Sequence, residues 1–540
     1  MKSVNVNQSR ALFRGAFILM LAALVTKILS AFYRIPFQNI VGDIGFYIYQ
    51  QVYPFYGMAI VLSTTGFPVV ISKLYAEQKL KGDDIKSRLL LFFSFIYLQL
   101  FGFLCFLILY FGAGSIAVWM NDPHLAILLR VVSIVFLMFP LISILRGYYQ
   151  GSGNMVPTAL SQVGEQSTRV VTILFLAYLF MEKGYSQYLV GGGAMFGSIT
   201  GSMVSGIILF MFLWIRKEWK VIAPSPGMFQ NYTGEAKKIL KALIFQGLTI
   251  CISGMLMIFI QLGDSLSLFS LLVSSGVEKD MAKGLKGIFD RGQPLIQLGT
   301  IAATSMSLTL VPLITRERLS AKPEFLQHKI QVALKVSVII GVGASAGLWA
   351  IIEPTNTMLF ENNAGSEVIG VLGFMILFTS ITSTIIAIMQ GLGVMLFPAI
   401  AAALAFPVKY ILNGVFVPLY GTMGAAISSL LSLFLVTVLL FVQFKKITRI
   451  SLFSLRFSWT VVMATATMVV FLKVYLYLWG TDDVGRIESV FQSLSSALLG
   501  GFLFLLVMIR GRVFLEEELS LFPFGSKLIK LMARKDRNRW

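Results

Sequence analysis

Eleven charged residues stand inside long apolar runs of this 540-residue chain. The bases are Lys27, Arg34, Arg130, Arg169, Arg291, Lys335, Lys409 and Lys473, and the acids are Glu165, Asp264 and Asp290. An ionisable group is expensive to hold in hydrocarbon, so such residues pair with one another or line a polar path. Arg130, Lys335 and Lys473 lie near the ends of their runs, where a long side chain reaches the interface, and Arg34 is also near an end. Lys27, Arg169, Lys409 and Arg291 lie deeper. Glu165 and Arg169 are four residues apart and can pair on one helix face. Glu165 and Asp264 are therefore candidates for charge pairing or for ion or proton coupling. Asp290 and Arg291 are adjacent and point in different directions, so one of them needs a partner on another helix; Asp264 is a candidate for Arg291.

The deep bases outnumber the acids. A cavity lined with cations takes an anion, and a guanidinium holds phosphate through a two-pronged fork. Glutamines are plentiful in or near the same runs: Gln50, Gln51, Gln150, Gln162, Gln166, Gln261, Gln293 and Gln297. Their amides can bond sugar hydroxyls, or equally bond helix to helix. Bases together with amides point to a glycan phosphate.

Other chemistries find little support. Cys105, Cys251, His124 and His328 are too few to build a metal cluster, and no metal or cofactor is expected. There is no G-x-x-x-x-G-K-[ST] loop for ATP. A membrane polymerase or ligase would need a large outside loop with paired catalytic groups, and none is present, so the chain reads as a non-enzyme. The net charge of +19 invites a nucleic-acid partner, but the bases sit in short loops between apolar runs, which argues against one.

The elements that must position these residues are membrane-spanning helices. Of the residues, 57% are hydrophobic and 13% charged, against about a quarter charged in a soluble chain. Apolar runs of bilayer-spanning length place spans at about 11–33, 44–71, 89–117, 125–148, 155–181, 187–215, 240–265, 287–315, 329–352, 366–389, 395–416, 421–443, 457–479 and 487–511. The chain is thus expected to be all-α, with about fourteen transmembrane helices and the first retained as a span. With the N-terminus inside, about 31 of the 44 Lys and Arg fall on the cytoplasmic side, about 6 in outside loops and about 7 within spans. That bias expects both termini in the cytoplasm.

The chain repeats itself. QGSGNMVP at 150–157 matches QGLGVMLFP at 390–398, each joining the fourth and fifth span of a six-span block. Phe46 and Gln50 match Phe289 and Gln293, and Gly193-Ala-Met195 resembles Gly421-Thr-Met423. Two parallel six-helix lobes follow, 1–218 and 236–444, with two additional helices over 457–512 and a basic tail over 513–540. Parallel repeats bind substrate between the halves. Arg169 and Lys409 take nearly the same place in the two repeats and are expected to face one cavity. The tail alternates apolar and basic residues around Leu528 to Arg534, as a segment lying on anionic lipid would.

Three stretches resemble one family: FYRIPFQNIVGDIGFYIYQQVYPFYG, LRGYYQGSGNMVPTALSQVGEQ and GIFDRGQPLIQLGTIAATSMSLTLVPLI. They are similar to the polysaccharide-transporter branch of the MOP superfamily, which holds the stage V sporulation protein B type and the MurJ-type lipid II flippases. The resemblance covers the whole chain. It implies a V-shaped fold of two lobes, a groove for a lipid tail on the two extra helices, and transport of undecaprenyl-diphosphate glycans across a bacterial plasma membrane. It also implies a cargo role for Arg291 of the FDRG stretch, with Asp290 beside it. Lys27 and Arg34 fall near the family's span-one arginine pair, with Lys at the first position. The partners so implied are a lipid-linked anionic glycan, membrane lipids and enzymes of cell-wall or polysaccharide synthesis, with the chain acting as a monomer. The competing reading is a MATE-type multidrug or cation antiporter, which would want deep acids in the first two spans; none is there.

Overall fold

The computed structural model describes residues 2–221, 233–301, 323–448, 454–480, 485–511 and 513. The tail 514–540 and residues 302–315 of the expected eighth span lie outside the described residues. Every regular element described is helical. Among the described residues, ten stretches are long and apolar enough to cross a membrane. Two of them, Phe17–Leu80 and Leu396–Thr448, run 64 and 53 residues, roughly twice or more the ~20 residues a bilayer needs. Each contains a backbone break at a left-handed glycine, Gly42 (φ 69°) in the first and Gly421 (φ 57°) in the second. A side chain would strain both positions. The chain is an all-α, multi-pass membrane protein.

The helices form two compact units. The first comprises residues 1–294 and 393–432. It contains α1 (Lys2–Phe32), α2 (Arg34–Val61), α3 (Phe67–Leu80), α4 (Asp84–Phe111), α5 (Ala113–Trp119), α6 (Ala126–Ser133), α7 (Val135–Gly151), α8 (Val156–Glu182) and α9 (Gln187–Ile215). It continues with α10 (Thr233–Ala242), α11 (Leu248–Gly254), α12 (Leu256–Ser274) and α13 (Lys279–Asp290). Small residues let these helices approach closely, as in other membrane bundles. On Gly201 of α9 an added Cβ would lie 2.7 Å from Glu165 O of α8. On Gly287 of α13 it would lie 2.1 Å from Asp43 O of α2.

The second unit comprises 295–392 and 433–540. It takes most of α14 (292–301), then α15 (Pro323–Ala350), α16 (Ile352–Phe360), α17 (Ser366–Gly373), α18 (Met375–Gly391), the end of α19 (Leu396–Thr448), α20 (Leu455–Trp479) and α21 (Arg486–Arg510). Ala346, Ala464, Met468, Leu472, Phe504 and Met508 form its core where α15, α20 and α21 meet. Arg486 bonds Glu361 at the rim. The repeated motif has one local course in both places. α7 ends at Gly151 and α18 at Gly391, and Gly153 (φ 79°) and Gly393 (φ 81°) turn the chain into the next helix.

Candidate polar site in the first unit

Most of the intramembrane charges gather in the first unit as buried, partnered groups. The break at Gly42 throws Asp43 out of the regular course of α2. Arg291, 1% exposed and following directly on α13, reaches it with Nε (2.9 Å to Oδ1) and one terminal nitrogen (2.7 Å to each carboxylate oxygen). Gln38 donates to the same carboxylate at 2.9 Å. The tight passage at Gly287 brings α13 close enough for this fork to form. Asp43, and not Asp264, is therefore the acid that meets Arg291.

Asp264 on α12 instead meets Lys409 at 2.7 Å. The Lys409 ammonium also donates to Asn413 Oδ1 at 2.9 Å and to Ala425 O at 2.7 Å. Asn413 in turn donates to Asp264 at 3.1 Å and Ser267 at 2.9 Å. On α13, Lys286 holds both oxygens of Asp290 at 2.6 Å, one helical turn apart. A buried ion pair offsets its desolvation only when its remaining polar atoms are bonded too; the Lys409 ammonium and Asp264 Oδ1 are so bonded.

Arg169 is fully buried in a cage of tyrosines. It donates to Tyr33 Oη at 3.0 Å and Tyr49 Oη at 2.7 Å, and its guanidinium lies 4.0 Å from the Tyr56 ring centre. Arg34 stacks 4.2 Å over Tyr53. Both contacts are cation–π interactions, stronger when desolvated. The expected Glu165–Arg169 pair gives way to another. Glu165 takes a 2.7 Å bond from Arg146 of α7, a wholly buried guanidinium that also bonds Ser161, Ser205 and Ser63 O. Lys27 is half-buried on α1, whereas Arg130 and Lys473 are exposed, as residues near span ends should be.

Between α2, α12 and α13 lies a polar cavity of about 10 Å3, near the room one water needs. It is lined by Gln50, Tyr53, Gln261, Asp264, Ser265, Lys286, Asp290 and Gln293. Gln261 donates to Gln293 at 2.8 Å. Asp264 Oδ2 and Gln50 Oε1 meet no donor among the described residues. The cavity brings together Asp290, expected to meet cargo, and Asp264, expected to pair charge or couple an ion. Arg34, Arg169, Arg291 and Lys409 are each enclosed by protein partners nearby. Lys286 and Asp43 escaped the sequence reading, since both fall in short polar stretches that read as loop ends. Their one signal was glycine on either side, in VGDIG and KGLKG.

A helical membrane bundle with breaks at glycine and a polar, ion-paired interior has the character of a transporter. Compared with solved structures, it has the MOP fold. It is similar to the lipid II flippase MurJ in an inward closed conformation (TM-score 0.66, 17% identity, 91% of this chain and 98% of that one). It is also similar to an inward-facing MATE family transporter of the MOP superfamily (TM-score 0.62, 15% identity, 78% and 94%). The chain belongs to the polysaccharide biosynthesis protein family, whose model matches residues 12–317. It is 42% identical over 530 residues to the uncharacterized membrane protein YabM of Bacillus subtilis strain 168, covering 98% of both chains. It is 24% identical over 517 residues to lipid II flippase MurJ of the same organism, covering 92% of this chain and 95% of that one.

Proposed function

We propose that this protein is a flippase that moves an undecaprenyl-diphosphate-linked glycan from the inner to the outer leaflet by alternating access. The observation that carries the reading is the set of polar side chains around the small cavity, which in this conformation has room for about one water and would widen to admit cargo. Four amide and hydroxyl side chains, a tyrosine and two lysine-held carboxylates face one space among membrane helices. Amides and tyrosine suit a sugar, and lysines already paired with carboxylates can exchange them for phosphate oxygens. The Asp43 fork on Arg291 presents the same two-oxygen geometry that a diphosphate would. Family membership supports the class of cargo. On this reading 1–218 and 236–444 act as repeat lobes, 457–512 take the lipid tail, and both termini are cytoplasmic. Membrane potential favours export, since each negative charge moved outward across 100 mV gains about 2.3 kcal/mol.

The antiporter reading would give Asp264 and Asp290 to a proton or cation. Each is bonded to a lysine, which disfavours that use. The deciding experiment reconstitutes the protein in proteoliposomes and offers several undecaprenyl-diphosphate glycans, with a cationic dye and an ion gradient in parallel. Flipping of at least one glycan is expected. Dye movement without glycan flipping would overturn the proposal.

A further inference from the structure

The first unit carries a second feature, independent of the cavity. An apolar groove of about 700 Å3 opens on the outer side of α4, α7 and α9. Along α9 its floor is a stripe at four-residue spacing, Ser202, Gly206, Phe210 and Trp214, with Met138 of α7 and Phe95 of α4 as walls. α4, α9 and the stretch Pro123–Gly151 that ends in α7 are each long and apolar enough to cross a membrane, so the medium facing the groove is lipid.

Three observations identify the occupant. The stripe from Ser202 to Trp214 runs about 18 Å at 1.5 Å per residue. One leaflet of hydrocarbon is about 15 Å deep, half of the ~30 Å core. The groove is thus one leaflet long, whereas a partner helix would need the full thickness. Its end is marked by Trp214, 74% exposed, as tryptophan stands at headgroup level. Immediately beyond come Arg216 and Lys217, both exposed, with Glu218 as the acid of the same turn. Arg216 faces the neutral side-chain carbonyl of Asn154 at 2.6 and 3.1 Å. The turn is therefore net positive and close to the mouth. Methionines on the walls suit a chain with many conformations.

We propose that this groove binds an anionic phospholipid, with an acyl chain along α9 and the headgroup at Arg216 and Lys217. The charge bias along the chain assigns it to the cytoplasmic leaflet. It is separate from the 457–512 helices expected to take the cargo's tail.

The test uses the full-length protein in nanodiscs containing phosphatidylglycerol with a diazirine on one acyl chain. After illumination, labelled positions are mapped by mass spectrometry. Labels should concentrate on 202–214 of α9 and on the facing part of α7. A Cβ at Gly206 meets nothing within 4 Å, so Gly206→Phe fills the groove without moving backbone and should cut labelling there several-fold. Met211→Trp, at a position already 49% exposed, serves as a second filler should the first unfold the protein. Replacing Arg216 and Lys217 together by Gln should bring the ratio of phosphatidylglycerol to phosphatidylcholine labelling towards one. Even labelling over all outward faces, including Val470 and Val474 of α20, and indifferent to the fillers, would mean bulk lipid only and overturn the site. Equal labelling by both lipids in the unaltered protein would overturn the headgroup assignment.

Discussion

Removing either member of the Arg291–Asp43 pair should give unequal results, because the two are unequally enclosed. The Arg291 side chain is 1% exposed and that of Asp43 25%. Breaking a buried pair from one side costs about 3–5 kcal/mol, mostly from the charge left behind. Asp43→Ala takes the carboxylate away from the enclosed guanidinium, so its cost belongs in that range. Arg291→Ala strands a carboxylate that keeps the Gln38 bond and a quarter of its surface. Its cost should be nearer about 1–3 kcal/mol. The double variant removes both charges and should recover about 2–3 kcal/mol relative to the sum of the singles. Equilibrium unfolding in mild detergent measures all three. An Asp43→Ala cost below about 1 kcal/mol, or one smaller than that of Arg291→Ala, would refute the reasoning. Transport separates scaffold from cargo binding. Arg291→Ala should insert and express normally yet fail to flip substrate, and Arg291→Lys should keep part of the activity while losing the fork. Normal flipping by well-inserted Arg291→Ala would defeat the cargo role, and recovery of transport in the double variant would make the pair a scaffold.

Gly287→Ala should destabilise by about 1–3 kcal/mol through overpacking, since the new methyl would lie 2.1 Å from Asp43 O; unchanged unfolding in detergent would show that α2 and α13 have room to part. Lys409→Met and Asp264→Leu should each cost about 3–5 kcal/mol, and the pair of changes together less than either alone; additive losses on the same unfolding curve would contradict the pairing. Reporter fusions after Gly365 and after Trp540 should lie outside and inside respectively, and finding both on one side would break the topology drawn from the charge bias.

Hydropathy and charge made the class of this protein legible in one dimension. A span is a local property, because twenty apolar residues in a row meet the bilayer's demand without reference to the rest of the chain. The breaks at QGSGNMVP and QGLGVMLFP were legible for the same reason, as a short repeated motif; that Gly153 and Gly393 make them with left-handed turns came from the structure. That Arg291 needs a partner also followed from local cost alone. Which partner it takes did not. Asp43 lies 248 residues away, in a stretch too polar to read as part of a span. It becomes the acid of choice only because Gly42 breaks α2 and Gly287 lets α13 pass close. Asp264 was spent elsewhere, on Lys409, and Glu165 turned from its own helix to Arg146. In a low-dielectric interior each of these acids takes a base that packing brings near, while Arg169 and Arg34 settle among tyrosines; nearness in space is set by helix packing, which spacing along a single helix does not encode.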